Sequence, residues 1–160
     1  MMMDWYLPIK ALHILSATVL FGTGLGIAFF MLFAHYSRNV ATIAGVARLV
    51  VTADWIFTGT AGLLQPVSGI ALIVIVGHDP HEGWLMLSYA LYGLAFLCWV
   101  PVVWLQLRIR DMAVAALRDG SALPSRYYRY MRLWFMLGWP AFFGLLLIFW
   151  LMISKTVPGF

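Results

Sequence analysis

Four long apolar blocks fill almost all of this 160-residue chain and decide what it can fold into. They run over residues 7–33, about 50–76, 84–107 and 133–153. Each is long enough to cross the hydrocarbon core of a bilayer as a helix, which takes about 20 residues. Apolar residues make up 64% of the chain and charged residues 10%, whereas a soluble domain carries roughly 25% charged residues. The sequence therefore predicts a multi-pass membrane protein in contact with the lipid bilayer.

The expected fold is all-α: a transmembrane four-helix bundle forming a single integral membrane domain over residues 1–160. We expect helices at about residues 5–35, 42–76, 84–117 and 127–154. The first helix should stay in the mature protein, because its apolar run is too long for a signal peptide and no basic segment precedes it. Pro66 lies inside the second helix, and we expect a neighbouring helix to satisfy the carbonyl that this proline leaves free.

Basic residues are distributed unevenly between the links that join the blocks. Eight of the ten follow the first block or lie near the third link, namely Arg38, Arg48, Arg108, Arg110, Arg118, Arg126, Arg129 and Arg132. Because arginine and lysine stay in the cytoplasm, both termini and the link His78–Gly83 should face the periplasmic side of a bacterial inner membrane. We read the arginines as topology signals and lipid headgroup contacts. No nucleic-acid partner is expected, since the basic link lacks a compact fold to present to a groove.

Each block has one helical face that is smaller, more polar or more aromatic than the rest. These four faces are expected to meet inside the bundle. They comprise His13, Ala17, Gly24, Ala28 and His35; Asp54, Thr58, Ala61, Gln65 and Ser68; Ser88, Tyr92, Ala95, Trp99 and Gln106; and Arg132, Met136, Trp139, Phe143, Trp150 and Ser154. A second small face, Gly22-x-x-x-Gly26, is typical of close contact between membrane helices.

Asp54 is the only acidic residue inside an apolar block. A carboxylate facing lipid is costly, so Asp54 should face the bundle and have a partner. We expect a structural ion pair of Asp54 with Arg132 or Arg48. A proton or cation site is the alternative.

His13 lies about two turns into the first helix, on the inward face, where a histidine is a candidate functional residue. It is either hydrogen-bonded to a neighbouring helix or a ligand to haem iron or another metal. His78 and His81 flank Asp79-Pro80 in the second link, and either is a candidate second metal ligand across from His13. His35 lies 22 residues after His13, about 33 Å along a helix, and is read as an interface residue.

Several other classes find little support in the sequence. There is no P-loop, G-x-G-x-x-G, G-x-S-x-G or H-E-x-x-H pattern and no paired carboxylates in one block, so the corresponding enzyme mechanisms have no candidate residues. The single cysteine, Cys98, cannot form an internal disulfide and is read as a packing residue. Trp99 and Trp139 lie on inward faces and could pack on a flat cofactor, although a dry aromatic core is the commoner arrangement.

The opening Lys10-Ala11-Leu12-His13-Ile14-Leu15, followed by a glycine-rich half-helix and His35, resembles the small four-helix haem-binding protoporphyrinogen oxidase family. It also looks like the helical domain of bacterial copper-resistance membrane proteins. The resemblance to the oxidases implies haem b bound through a membrane histidine that matches His13. That family also uses a lysine on a later helix, and this chain has no lysine between Lys10 and Lys155.

Nearly the whole chain is similar to an uncharacterised bacterial family of predicted integral membrane proteins. The similarity lies in Trp55-Ile56-Phe57-Thr58, Gln65-Pro66, Trp99-Val100-Pro101-Val102-Val103-Trp104 and Gly138-Trp139-Pro140-Ala141. It implies a membrane location and a helical fold, and no activity.

Three functions stay open from the sequence. In the first, the protein binds haem b for redox or tetrapyrrole work: His13 is an axial ligand, Trp99 and Trp139 pack on the porphyrin, and Arg132 or Lys10 pairs with a propionate. In the second, the protein is a non-catalytic accessory subunit of a larger membrane complex, or a homo-oligomer. The third is a copper or proton conduit. Whether the protein is an enzyme is undecided.

Overall fold

The computed structural model describes residues 3–157, and this part of the chain contains four long helices and no β-strand. They are α1 (Tyr6–Tyr36), α2 (Val40–Val76), α3 (Gly83–Arg118) and α4 (Ser125–Ser154), and a 3-10 turn, Met3–Trp5, precedes α1. Each of the four is long and apolar enough to cross a membrane. The predicted all-α architecture with four transmembrane helices is confirmed.

Short links with specific capping residues separate the helices. Asn39 caps the start of α2, where its side chain accepts a hydrogen bond of 3.0 Å from the Thr42 backbone N–H. Such a cap satisfies one of the N–H groups that have no partner within the helix. At the other end of α2, Gly77 has φ +79°, a left-handed conformation that glycine adopts without steric cost. Links this short make successive helices antiparallel.

α2 is not a regular helix along its whole length. It consists of α-helical segments Val40–Ala53 and Thr60–Val76, joined by a π-helical turn at Asp54–Gly59. Pro66 lies in the second segment. Its missing N–H leaves the carbonyl four residues earlier, that of Gly62, without an intrahelical donor. The Tyr92 hydroxyl of α3 donates to this carbonyl, so a neighbouring helix satisfies the freed group as expected.

Two apolar cores of different size lie at opposite ends of the bundle. The larger joins the end of α1, the start of α2, the end of α3 and the start of α4, through residues such as Met31, Ile43, Ile109 and Tyr127. The smaller joins the start of α3 to the end of α4 around Trp84, Leu85 and Leu151. We call the first the arginine end, since eight of the ten basic residues lie in its half of the helices. The second is the termini end.

The inward faces of α2 and α3 are as predicted, and the predicted face of α4 is wrong. Asp54, Ala61, Ser68, Ser88 and Gln106 are buried. On α4, by contrast, the predicted inward residues are mostly exposed, including Arg132, Met136, Trp139, Phe143 and Trp150. The side that packs is instead Tyr127, Met131, Trp134, Gly144 and Leu151. The reason is physical: aromatic side chains are compatible with lipid as well as with a protein core, so an aromatic face of α4 does not by itself indicate packing.

The small face of α1 has no helix against it in the part of the chain that the structure describes. A Cβ added at Gly22 meets nothing within 4 Å, and one added at Gly26 meets only Phe30 of the same helix, at 4.0 Å. Docking of a partner on Gly22-x-x-x-Gly26 stays a prediction.

Cys98 is buried and unbonded to another cysteine.

The bond between Tyr92 and the Gly62 carbonyl generates a first prediction. Tyr92→Phe should lower the free energy of unfolding by about 1 kcal/mol, because it leaves that carbonyl unsatisfied inside the membrane. In a Pro66→Ala background the loss should be smaller, since residue 66 then supplies its own N–H. The measurement is reversible unfolding in mixed detergent micelles, with the exposed Tyr89→Phe as the matched control. An equal loss in both backgrounds would contradict the assignment.

Candidate functional sites

His13 forms the centre of a polar cluster between α1 and α2 near the termini end. Its Nδ1 lies 2.8 Å from the Ser68 hydroxyl oxygen. Gln65 donates from Nε2 to the His13 backbone carbonyl at 2.7 Å and to the Ser16 hydroxyl at 2.6 Å. Gly69 lets the imidazole approach α2 closely, since an added Cβ there would lie 3.3 Å from His13 Cε1. His13 is therefore hydrogen-bonded to a neighbouring helix, which is one of its two predicted roles. The other role, ligation of a metal, stays a prediction.

The hydrogen bonds of Ser68 fix the tautomer of His13. Ser68 Oγ lies 2.6 Å from the Leu64 backbone oxygen, and a hydroxyl has one proton to give. If that proton pointed to His13 instead, two oxygens would face each other at 2.6 Å with no hydrogen between them. Ser68 therefore donates to Leu64 and accepts from His13 Nδ1–H. No described residue forms a hydrogen bond with the other ring nitrogen, Nε2.

Asp54 forms a second polar cluster, about 20 Å along α2 from Ser68 at 1.5 Å per residue. Its side chain is 3% exposed. Trp99 of α3 donates from Nε1 to Oδ2 at 3.2 Å and lies 3.4 Å from Oδ1. Asp54 is also the first residue of the π-helical turn, an irregularity that is frequent at functional sites.

Gln106 links Asp54 to a third helix. With its amide oriented so that both neighbours are satisfied, Gln106 donates to Asp54 Oδ2 at 3.1 Å and accepts from Trp134 Nε1 of α4 at 3.3 Å. All of these donors are neutral N–H groups. The structure differs here from the predicted ion pair: among the described residues Asp54 has no salt bridge to Arg48 or Arg132. Both arginines are exposed, where they keep their hydration.

The histidines of the second link have partners of their own. His78 Nδ1 lies 2.9 Å from Glu82 Oε1, and its Nε2 lies 3.4 Å from Lys155 Nζ. His81 is exposed and lies 3.1 Å from Asp79 Oδ1 through Nδ1. Within residues 3–157 no three histidine, cysteine or acidic side chains come close enough to hold a metal ion. The structure brings neither link histidine to His13.

The other residues predicted to surround a cofactor do not gather at His13 either. Lys10 is exposed and bonds to Tyr6 Oη at 3.0 Å. Trp99 belongs to the Asp54 cluster. Trp139 is 46% exposed and packs on Phe135 and Phe143 of its own helix. Arg132 lies at the arginine end, in a cleft with His35.

Two open clefts at the arginine end combine cations with aromatic rings. The larger, about 450 Å³, is lined by Arg108, Arg126, Trp104, Tyr130 and neighbours. The smaller, about 220 Å³, contains Arg132, His35, Tyr36 and Tyr128. Arginine with interfacial tyrosine and tryptophan suits the headgroup region of a bilayer, as the sequence analysis expects.

Two members of these clusters, Ser16 and Trp134, are not among the inward residues that the sequence predicts, and the partners of a third, Gln106, are not predicted either. Ser16 lies three residues after His13, so helical spacing alone could have added it. Gln106 was on the inward face of α3 without an assigned partner. Trp134 is absent from the prediction because the predicted inward face of α4 is wrong. The π-helical turn has no residue pattern from which it could be predicted.

A family model described as "Predicted integral membrane protein (DUF2269)" matches residues 7–156 of the chain. The chain therefore belongs to this family, and it is an integral membrane protein. No curated protein and no solved structure matches it.

The second link generates a prediction on pH. The Trp84 indole N–H and then His78 lower the pKa of Glu82 below its usual value, and the His81 backbone N–H and ring do so for Asp79. A carboxylate with a depressed pKa stabilises the fold above its unfolded-state pKa, and this contribution disappears as the pH falls through the folded-state value. Glu82→Gln should therefore be less stable than the unsubstituted protein at pH 7, and the difference should disappear as the pH falls below the usual glutamate value of about 4.3 and through the lower folded-state value. Thermal unfolding midpoints measured against pH check this, and a difference independent of pH would contradict it.

Proposed function

We propose that this protein binds haem b within the membrane, with His13 Nε2 as the ligand to iron. The observation that carries the proposal is the geometry at His13, where Nδ1 lies 2.8 Å from Ser68 Oγ and Ser68 Oγ lies 2.6 Å from the Leu64 backbone oxygen. This arrangement assigns the ring proton to Nδ1 and leaves Nε2 without a hydrogen-bond partner among the described residues. Neutral imidazole is the usual protein ligand to haem iron. A ligating histidine almost always donates its other ring N–H to a fixed acceptor, and Ser68 supplies that acceptor here.

The surroundings of His13 fit this role in part. Gln65 donates to the His13 backbone carbonyl and Gly69 lets the ring lie against α2. Both the backbone and the ring of His13 are therefore held against α2. The cluster lies in apolar transmembrane helices, which limit access of water. The proposal keeps His13 alone as protein ligand. Lys10 lies one helical turn before His13 but bonds to Tyr6, and the contacts of Trp99, Trp139, Arg132, His78 and His81 are with other residues.

Haem b, when bound, supplies one-electron redox chemistry. The residues of the chain would orient the haem. Ser68 sets the direction of the His13 ring, and the Ser68 oxygen, by accepting from Nδ1–H, raises the basicity of Nε2. For the location we propose a bacterial inner membrane with the termini end on the periplasmic side, supported by the arginines collected at the opposite end.

The proposal predicts a coloured protein. Protein purified from haem-replete cells should show a Soret band and sharp α and β bands after reduction with dithionite. His13→Ala should lose them, because no other described histidine has an imidazole nitrogen free within the helices of the termini half. His35→Ala is the matched control, since it removes a histidine from the same helix at the arginine end, and it should keep the spectrum.

Ser68→Ala separates ligation from packing. It should retain the spectrum with roughly 10- to 100-fold weaker haem binding, which is the usual effect of removing the partner of a ligating histidine. Haem titration of the apoprotein measures this. The proposal would be overturned if the unsubstituted protein is purified without haem and shows no spectrum of bound haem after haem is added. The cluster would then be only a link between α1 and α2.

A further inference from the structure

The Asp54 cluster contains a buried carboxyl group without any cation. Asp54 is 3% exposed and lies inside a helix that crosses the membrane. The groups that face it from α3 and α4 are Trp99, Gln106 and, through Gln106, Trp134. None of these side chains is charged. The nearest arginines in the sequences of α2 and α4, Arg48 and Arg132, are exposed.

An ionised carboxylate in this position is energetically unfavourable. Moving an unpaired charge from water into an apolar medium costs so much that the group takes up a proton instead. Two N–H donors stabilise a carboxylate, but the apolar core around them, which includes Val50, Leu105 and Trp134, keeps water and counter-ions away. The neutral acid is the form that this environment accommodates.

The hydrogen bonds also indicate which oxygen holds the proton. Oδ2 accepts from Trp99 at 3.2 Å and from Gln106 at 3.1 Å, whereas Oδ1 has only the longer contact of 3.4 Å to Trp99. The Thr58 hydroxyl, four residues later, is buried and has no partner in hydrogen-bond geometry among the described residues. A hydroxyl oxygen accepts as well as donates. Thr58 Oγ1 lies one helical turn after Asp54 and is buried without a partner among the described residues, so we assign it as the acceptor for an O–H on Asp54 Oδ1.

We propose that Asp54 is a proton-binding site inside the membrane, occupied at neutral pH, with the proton on Oδ1 and Thr58 Oγ1 as its acceptor. The site is separate from His13, and it needs no haem. Its ligand is a single proton: hydronium gives up the proton and becomes water, and an O–H bond forms on the Asp54 carboxylate. Asp54 and Thr58 both belong to the π-helical turn Asp54–Gly59.

Infrared spectroscopy of the full-length protein in lipid vesicles tests the proposal directly. At pH 7 the spectrum should contain the C=O stretch of a protonated carboxylic acid, shifted to lower frequency in ²H₂O. The band should disappear in Asp54→Asn and move to higher frequency in Thr58→Val, which is nearly isosteric and removes the acceptor. Asp111→Asn is the matched control, because Asp111 is exposed and paired with Arg110 at 2.8 Å, and it should leave the band unchanged.

Stability gives an independent readout if one variant folds poorly. Asp54→Asn keeps the acceptor for Trp99 and Gln106 and replaces the O–H by an N–H, so its unfolding midpoint should equal or exceed that of the unsubstituted protein. Absence of the acid band at pH 7, with a strong loss of stability in Asp54→Asn, would overturn the proposal. A carboxylate spectrum that changes when Na⁺ is added would also overturn it and would assign the site to a metal cation.

Discussion

Every polar group between the membrane surfaces of this protein must find its partner inside the bundle, because hydrocarbon offers none. Three such groups are visible in α2, and α3 supplies partners for two of them while α1 supplies partners for the third. The Gly62 carbonyl that Pro66 leaves free accepts from Tyr92 of α3. Ser68 and Gln65 bond to His13 and Ser16 of α1. Asp54 is bonded to α3 and, through Gln106, connected to α4. The polar residues of α2 thus specify its neighbours, in a solvent where apolar contact alone distinguishes helices poorly.

The two ends of the bundle are built differently. The arginine end has the large apolar core, in which Ile43, Ile109 and Tyr127 are almost completely buried. At the termini end the apolar core is small, and a polar cluster around His13 holds α1 to α2. A large apolar core suits a structural role, whereas a histidine with a ring nitrogen unpartnered among the described residues is suited to hold a ligand. The proposed haem ligand and the proposed proton site therefore lie in different environments.

The sequence predicted the helices and the inward faces of α2 and α3 because hydrophobic length and helical period depend only on local spacing. Asp54, Gln65, Ser68 and Gln106 could be assigned to the interior, since polar groups avoid lipid. Their partners could not be assigned, because pairing depends on how helices rotate about their axes. The face of α4 was misassigned for a related reason: Trp139 and Phe143 are acceptable to lipid and to a protein core alike. The arginine partners expected for Asp54 were replaced by indole and amide N–H groups, which helical period cannot distinguish from packing residues.

The proposed ligation of haem iron by His13 depends most directly on which ring nitrogen carries the proton, because only an unprotonated Nε2 can bind iron. Solid-state ¹⁵N NMR of the protein in bilayers, with the His13 signals assigned by comparison with His13→Ala, measures it. The account predicts a neutral ring with the proton on Nδ1, and with Nε2 either bare or bound to iron. A ring protonated on Nε2 with a bare Nδ1, or a doubly protonated imidazolium, would contradict it.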